Sequence, residues 1–352
     1  MSLSIEAATG SISHGARGPA PGHEASPADF SETPSQPAPG SGAEAPALLH
    51  DYRQAANPVR PGLTEPIGLH RWSPALHSSG PTAIHPLDLS AELGAVGPLT
   101  SPALAAHFVR ILKGEAISAA AAATSALFVV LRGAGTLSRA ADSGSEALRL
   151  SWGEGDVLVL PAGHPPELEA NEESVLFWVH DAPLLRHLGV TPSQARFRPC
   201  HYRRAVLEAE LELLQADPGA SRANRLSLLL GHADLPASRT VSHTLWAMLG
   251  VVPPGALQAP HRHQSVAIDL ILDCDPGCYT LVGSDLDSEG RIRNPRRIDW
   301  EAGGAFLTPP GLWHAHVNES GRSARLLPVQ DAGLHTYLRS LDIRFAGSLG
   351  GE

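Results

Sequence analysis

From about residue 59 onward, apolar residues fall in short runs that end at glycine or proline. ALFVVLRG (126–133), DVLVLPAG (156–163) and SVLFWVHD (174–181) are rich in β-branched and aromatic side chains and predict strands. The period then changes. In RRAVLEAELELLQAD (203–217), Val206, Leu207, Leu211 and Leu214 recur at helical spacing, and Asp-Pro-Gly closes the segment. The strand pattern resumes in TVSHTLWAMLGVV (240–252), SVAIDLIL (265–272), CYTLVG (278–283), GAFLTPPG (304–311) and ARLLPVQD (324–331). This gives an all-β plan with an N-terminal unit over 59–200, a helical connector over 201–235 and a C-terminal unit over 236–352. Residues 1–58 are dominated by Ala, Pro, Gly, Ser and acidic residues without apolar periodicity, so they predict a disordered tail that carries no identifiable chemistry.

The two β-rich segments look like copies of one design. In the second, Gly255 is followed six residues later by His261 and then His263; in the first, Gly114 is followed at the same distance by Ala120 and then Ala122. GGAFLTPPGLWHAHVN and GDVLVLPAGHPPELEA both fit Gly-x5-Pro-x-Gly, through Gly303, Pro309 and Gly311 in one and Gly155, Pro161 and Gly163 in the other. Repetition at this separation implies two structural units of one fold.

Composition agrees with many turns and a large core. Of 352 residues 43% are apolar, while 31 are Pro and 34 are Gly. A net charge of −10 argues against a nucleic-acid partner, which would need a basic face, and the short RIRNPRR (291–297) reads as a solvated loop. Cys200, Cys274 and Cys278 make a poor disulfide framework; CDPGC (274–278) reads as a turn, and no second cysteine pair completes a zinc site. No apolar run reaches transmembrane length and the N-terminus lacks a secretory pattern, so the expectation is a cytoplasmic protein without a membrane partner.

The candidate chemistry lies in PHRHQSVAID (260–269). Residues i and i+2 of a strand face the same way, so His261 and His263 project side by side. If the second motif lies on a facing strand of a small closed barrel, His314 meets them inside. Three neutral imidazoles suit a divalent transition metal and leave coordination positions open.

These motifs resemble those of the cupin superfamily, Gly-x5-His-x-His followed by Glu, and Gly-x5-Pro-x-Gly-x2-His-x3-Asn. Gly303, Pro309, Gly311, His314 and Asn318 match the second in full; Gly255, His261 and His263 match the first except at the Glu, which would fall near Ala267 or Ile268. Within that superfamily the chain resembles gentisate 1,2-dioxygenase and its salicylate and hydroxynaphthoate relatives, which also lack that Glu. Their HRHTQSALRF is close to HRHQSVAIDL, and their GDFxLTPxWxWHDHGN to GGAFLTPPGLWHAHVN. The resemblance implies two jelly-roll barrels and Fe(II) held by His261, His263 and His314. It also implies a small-molecule substrate, O2 as co-substrate and a homo-oligomer, a dimer or tetramer. It places His316 and Asp331 near the reacting groups, and Trp246 and Trp313 in the pocket wall.

Two departures are visible. The family carries an Arg, expected to bind the substrate carboxylate, where this chain has Asp269; counting by two from His263 also brings Asp269 to the metal-facing side. A carboxylate there would repel an anionic ring acid, so gentisate itself is not the expected substrate. The metal motif also lies in the second barrel, whereas the gentisate-type relatives carry it in the first. In this chain's first barrel, Ala120, Ala122, Ala126 and Pro166 stand at the ligand positions, so that unit is expected to bind no metal. Mn, Ni or Zn in a non-redox isomerase or hydrolase, and a ligand-binding protein without turnover, are the alternatives to an Fe(II) dioxygenase.

Overall fold

The computed structural model describes residues 45, 47–141, 146–220 and 223–347. Most of the expected tail lies outside these residues. Its last part is not featureless, because Tyr52–Ala55 forms one helical turn capped by the side chain of Asp51.

All eight apolar runs contain strands, and among the described residues the strands pair antiparallel into four sheets. The first six-stranded sheet runs in the order Cys200–Tyr202, Val157–Pro161, Ser125–Arg132, Ser174–His180, Ala105–Ile111, Ala83–Pro86. The second runs His70–Trp72, Ala305–Thr308, Ala267–Asp273, Ala324–Gln330, Trp246–Val252, Leu226–Leu230. The orders correspond position by position, which is the duplication expected from the repeated motifs. A four-stranded sheet (Ala116–Ser118, Glu167–Ala170, Ala134–Arg139, Leu148–Gly153) completes the first unit. The second is completed by a five-stranded sheet, Arg296–Asp299, Cys278–Gly283, Trp313–Asn318, His261–Arg262 and Arg344–Phe345. Arg296 and Arg297 therefore stand in a strand rather than in the solvated loop expected for 291–297.

The edge strands are exchanged. His70–Trp72 precedes the first unit in the chain yet pairs with Ala305–Thr308 of the second. Cys200–Tyr202, which precedes the second unit, pairs with Val157–Pro161 of the first. The expected connector is thus divided: its helix, Arg204–Ala216, lies between strands that serve different sheets. That helix buries Leu207 and Leu211, with Leu214 half-buried one turn on, and leaves Val206 exposed, because the 207/211/214 stripe sets the inner face.

Strand alternation divides the apolar residues among three cores. One face of each six-stranded sheet packs against the other sheet, bringing Phe108, Leu127 and Phe177 together with Leu249, Ile268 and Leu307. The alternate residues fill the barrel interiors: Phe128, Leu137 and Trp178 in the first, Ile271, Trp300 and Phe306 in the second. Each such fully buried side chain contributes about 1.5–3 kcal/mol relative to exposure. Among the described residues no helix is long and apolar enough to cross a membrane.

Candidate metal centre

Strand pairing assembles the histidines. His261 lies directly opposite His314 in the five-stranded sheet, and His263 shares the inward face of His261. Ring centroids are 3.9 Å apart for His261–His314, 5.0 Å for His263–His314 and 5.9 Å for His261–His263. One nitrogen from each of the three lies within 4.8 Å of the others, the only such His/Cys/Asp/Glu group of three or more among the described residues. All three are buried.

Their partners decide which nitrogens face the centre. His263 Nδ1 donates to the Ser265 carbonyl at 2.9 Å, and Ser265 Oγ donates to Gln330 Oε1 at 2.8 Å. His314 Nδ1 donates to the Leu312 carbonyl at 3.1 Å. Both rings therefore keep Nε2 as a bare lone pair, and His263 Nε2 is sealed from solvent with no partner. Burial pushes His261 and His314 well below the ordinary imidazole value and His263 down to about 4, so all three are neutral at physiological pH. Buried, neutral, lone-pair-presenting imidazoles fit a divalent transition-metal ion.

No protein-family model matches the chain. Among curated proteins, gentisate 1,2-dioxygenase 1 of Aquipseudomonas alcaligenes is 28% identical over 103 residues, 29% of this chain and 26% of that protein. 5-Aminosalicylate 1,2-dioxygenase of a Comamonas species is 30% identical over 119 residues, 34% of this chain and 29% of its own length. The matched segments thus span under a third of these relatives. The salicylate 1,2-dioxygenase structure from Pseudaminobacter salicylatoxidans superposes with a TM-score of 0.59 at 15% identity, covering 80% of this chain and 88% of that one. The chain has the bicupin fold, and over the matched segment its sequence is similar to that of gentisate 1,2-dioxygenase. An oxalate decarboxylase also shares the bicupin fold, at TM-score 0.51 and 14% identity, over 84% of this chain and 87% of that one.

Asp269 of this bicupin does point into the second barrel, as counting by two requires, but it stands outside the histidine group. Its Oδ2 accepts from Thr308 Oγ1 at 3.0 Å, and burial raises its carboxyl to about 7 against the opposing pull of that bond and of Arg225. Arg225 was not legible as a site residue from motif spacing. It precedes the strand Leu226–Leu230, whose Leu226 and Leu228 pack between the barrels, so residue 225 falls on the inward side. Its Nη1 donates to His261 Nε2 at 2.7 Å, while its Nε is sealed from solvent without a partner. Arg225 thus occupies the His261 lone pair that metal loading would claim, and His261 Nδ1 is left unpartnered. A lone arginine alternating with leucines in NRLSLLL (224–230) was the available signal.

His316 lies on the same inward face, its ring 6.0 Å from His314 and 6.1 Å from His261. Trp246 opens a strand whose Val252 packs inside the barrel, so it shares that inward side, opposite Gln330. Trp313 requires correction. One residue before His314, it takes the outer face of its strand, where the Arg262 guanidinium lies 5.0 Å above its ring. Asp331 accepts the Val266 amide at 2.9 Å and touches none of the three histidines in any hydrogen bond. Phe345, on the C-terminal strand beside His261, stacks on that ring at 5.7 Å.

The first barrel differs in register as well as residue type. Ala120 and Ala122 are exposed, while Ala119, Ala123 and Pro166 are buried, so the inward set is one residue removed from the motif match. At the position equivalent to Asp269, Phe128 stacks on Trp178 with centroids 5.7 Å apart, and the buried pair His107 and His180, their Nε2 atoms 3.1 Å apart, packs on the same indole. A cavity of about 750 Å³, lined by residues including Arg196, His243, Thr336 and Tyr337, contains none of His261, His263, His314 and His316.

Proposed function

We propose that this bicupin is an Fe(II)-dependent dioxygenase acting on a small aromatic acid that carries a hydroxyl or amino substituent. The observation that carries the reading is the convergence of His261, His263 and His314, neutral and buried, beside a cationic Arg225. Bound Fe(II) would supply the redox chemistry that couples substrate to dioxygen. The chain's own residues do the rest. Arg225 binds the substrate acid, and Asp269, steadied by Thr308, takes a hydrogen bond from the ring substituent. Trp246 walls the site, and Trp300 and Phe306 exclude water.

The relatives' names support the substrate class: gentisate, salicylate and 5-aminosalicylate are all aromatic acids bearing hydroxyl or amino groups. Asp269 supports a preference among them that differs from gentisate. The test is oxygen uptake by Fe(II)-loaded protein across a panel of hydroxy- and aminobenzoates, with Zn(II)-loaded protein as control. Substrate-triggered uptake confined to the iron form is expected. Turnover of any acid by the zinc or manganese form without oxygen consumption would favour the non-redox alternative, for which the oxalate decarboxylase fold is a precedent.

A further inference from the structure

Four histidines converge inside the second barrel, and their outward partners divide them. His263 and His314 give Nδ1 to backbone carbonyls, which only accept, and so turn bare Nε2 atoms inward. His316 has a different partner: its Nδ1 lies 2.9 Å from Thr280 Oγ1. That hydroxyl already receives Trp300 Nε1 at 2.8 Å, and an indole N–H can only donate. Thr280 is fully buried, and among the described residues its hydroxyl has no third partner. Were His316 protonated at Nδ1, the hydroxyl would face two donors and its own proton would be buried without an acceptor.

We propose that Trp300 and Thr280 are positioning residues that fix His316 as its Nε2–H tautomer, so that the cavity meets a hydrogen-bond donor there and neither a base nor a fourth metal ligand. The donor chain runs one way: Trp300 to Thr280, Thr280 to His316, His316 into the cavity. His316 Nε2 is sealed from solvent and has no protein partner, so its complement must come from the ligand. A ligand that satisfies it presents an oxygen lone pair. The role in turnover rests on the proposed dioxygenase reading, whereas the tautomer does not.

The experiment is a long-range proton–nitrogen correlation on the full chain labelled with ¹⁵N-histidine, metal-free and zinc-loaded, with His316 assigned through His316→Gln. In both forms Nε2 is expected protonated and Nδ1 bare. Thr280→Val removes the proton donor and populates the Nδ1–H form; Thr280→Ser keeps the wild-type pattern; Trp300→Phe frees the hydroxyl and gives a mixture. In iron-loaded enzyme Thr280→Val lowers kcat/KM by about tenfold or more, carried by kcat, and serine restores it. A wild-type His316 protonated at Nδ1, a His316 bound to zinc, or an unchanged pattern in both Thr280→Val and Trp300→Phe would overturn the proposal. If Thr280→Val does not fold, the wild-type spectrum and Trp300→Phe decide it. If no substrate is turned over, the dioxygenase reading fails while the spectra still settle the tautomer.

Discussion

Asp181 and Asp331 hold equivalent backbone amides in the two barrels. Asp181 accepts from the amide of Ser125 at 3.2 Å, and Asp331 from that of Val266 at 2.9 Å. The equivalence follows from register: Ala126 pairs with Leu160 and His180, as Ala267 pairs with Thr308 and Gln330. Asp181 does this in the barrel that does not hold the His261, His263 and His314 group, so the shared contact is architectural, tying the start of a strand to the helix that leaves the sheet.

Asp331→Asn is therefore expected to keep metal binding and activity, since the amide oxygen still accepts from Val266. Asp331→Ala should cost about 1–3 kcal/mol of stability by leaving a buried N–H unpaired, and Asp181→Ala a similar amount. Burial raises the Asp331 carboxyl to about 7, so the native state holds a proton that the unfolded chain releases near 4. Stability from this group is complete below pH 4 and is lost as pH rises to 7. Asp331→Asn should remove that decline, up to about 4 kcal/mol. Denaturant melts between pH 4 and 8 check it; a large loss of turnover with metal retained would return Asp331 to the chemistry.

The histidines predict the opposite slope. In metal-free protein His263 titrates at about 4, below its unfolded value of 6.5, so acid favours the unfolded chain. Stability is complete above 6.5 and falls toward pH 4, by about 3 kcal/mol for His263 alone. Metal should leave over the same interval, because protons compete for the same nitrogens. His261→Ala, His263→Ala and His314→Ala should each abolish stoichiometric metal. Ser265→Ala, which frees Gln330 and loosens the His263 ring, should weaken metal affinity about 10–100-fold. Metal analysis after dialysis distinguishes these outcomes.

Removing Arg225 separates metal from substrate. Arg225→Met is expected to tighten metal binding, because nothing then competes for His261 Nε2. The same change should weaken binding of a carboxylated ligand by about 2–5 kcal/mol, the usual cost of truncating one member of a buried charge pair. Calorimetric titration with metal and then with benzoates reads both; parallel loss of the two affinities would sink the assignment.

Arg339 predicts a gain. The helix Ala332–Leu338 ends on Arg339 at φ 58°, and its counterpart Ala182–Leu188 ends on Gly189 at φ 66°. A side chain in the left-handed region costs about 1–2 kcal/mol that glycine avoids, so Arg339→Gly should stabilise the protein by roughly 1 kcal/mol in thermal melts.

What the sequence made legible was local. Continuous apolar runs ended by glycine or proline mark the long strands, and motif spacing picks out His261, His263 and His314. Short polar strands such as Ala116–Ser118 and Glu167–Ala170 left no apolar run to read. Trp313 and the alanine pair 120/122 show the limit of spacing, because one step along a strand reverses the face and only pairing fixes the step. Thr280 and His316 are 36 positions apart and meet only through strand register, as Arg225 and His261 do through sheet packing.

The exchanged edge strands bear on why the two barrels cannot be separated. Cutting the chain in the connector would leave Ala305–Thr308 without His70–Trp72, baring a line of backbone donors and acceptors that invites aggregation. The face that Ile268 and Leu307 share with Phe108 and Phe177 would be stripped at the same stroke. The two halves depend on each other structurally. The strands of the first cannot be deleted without uncovering the half that carries the three-histidine group.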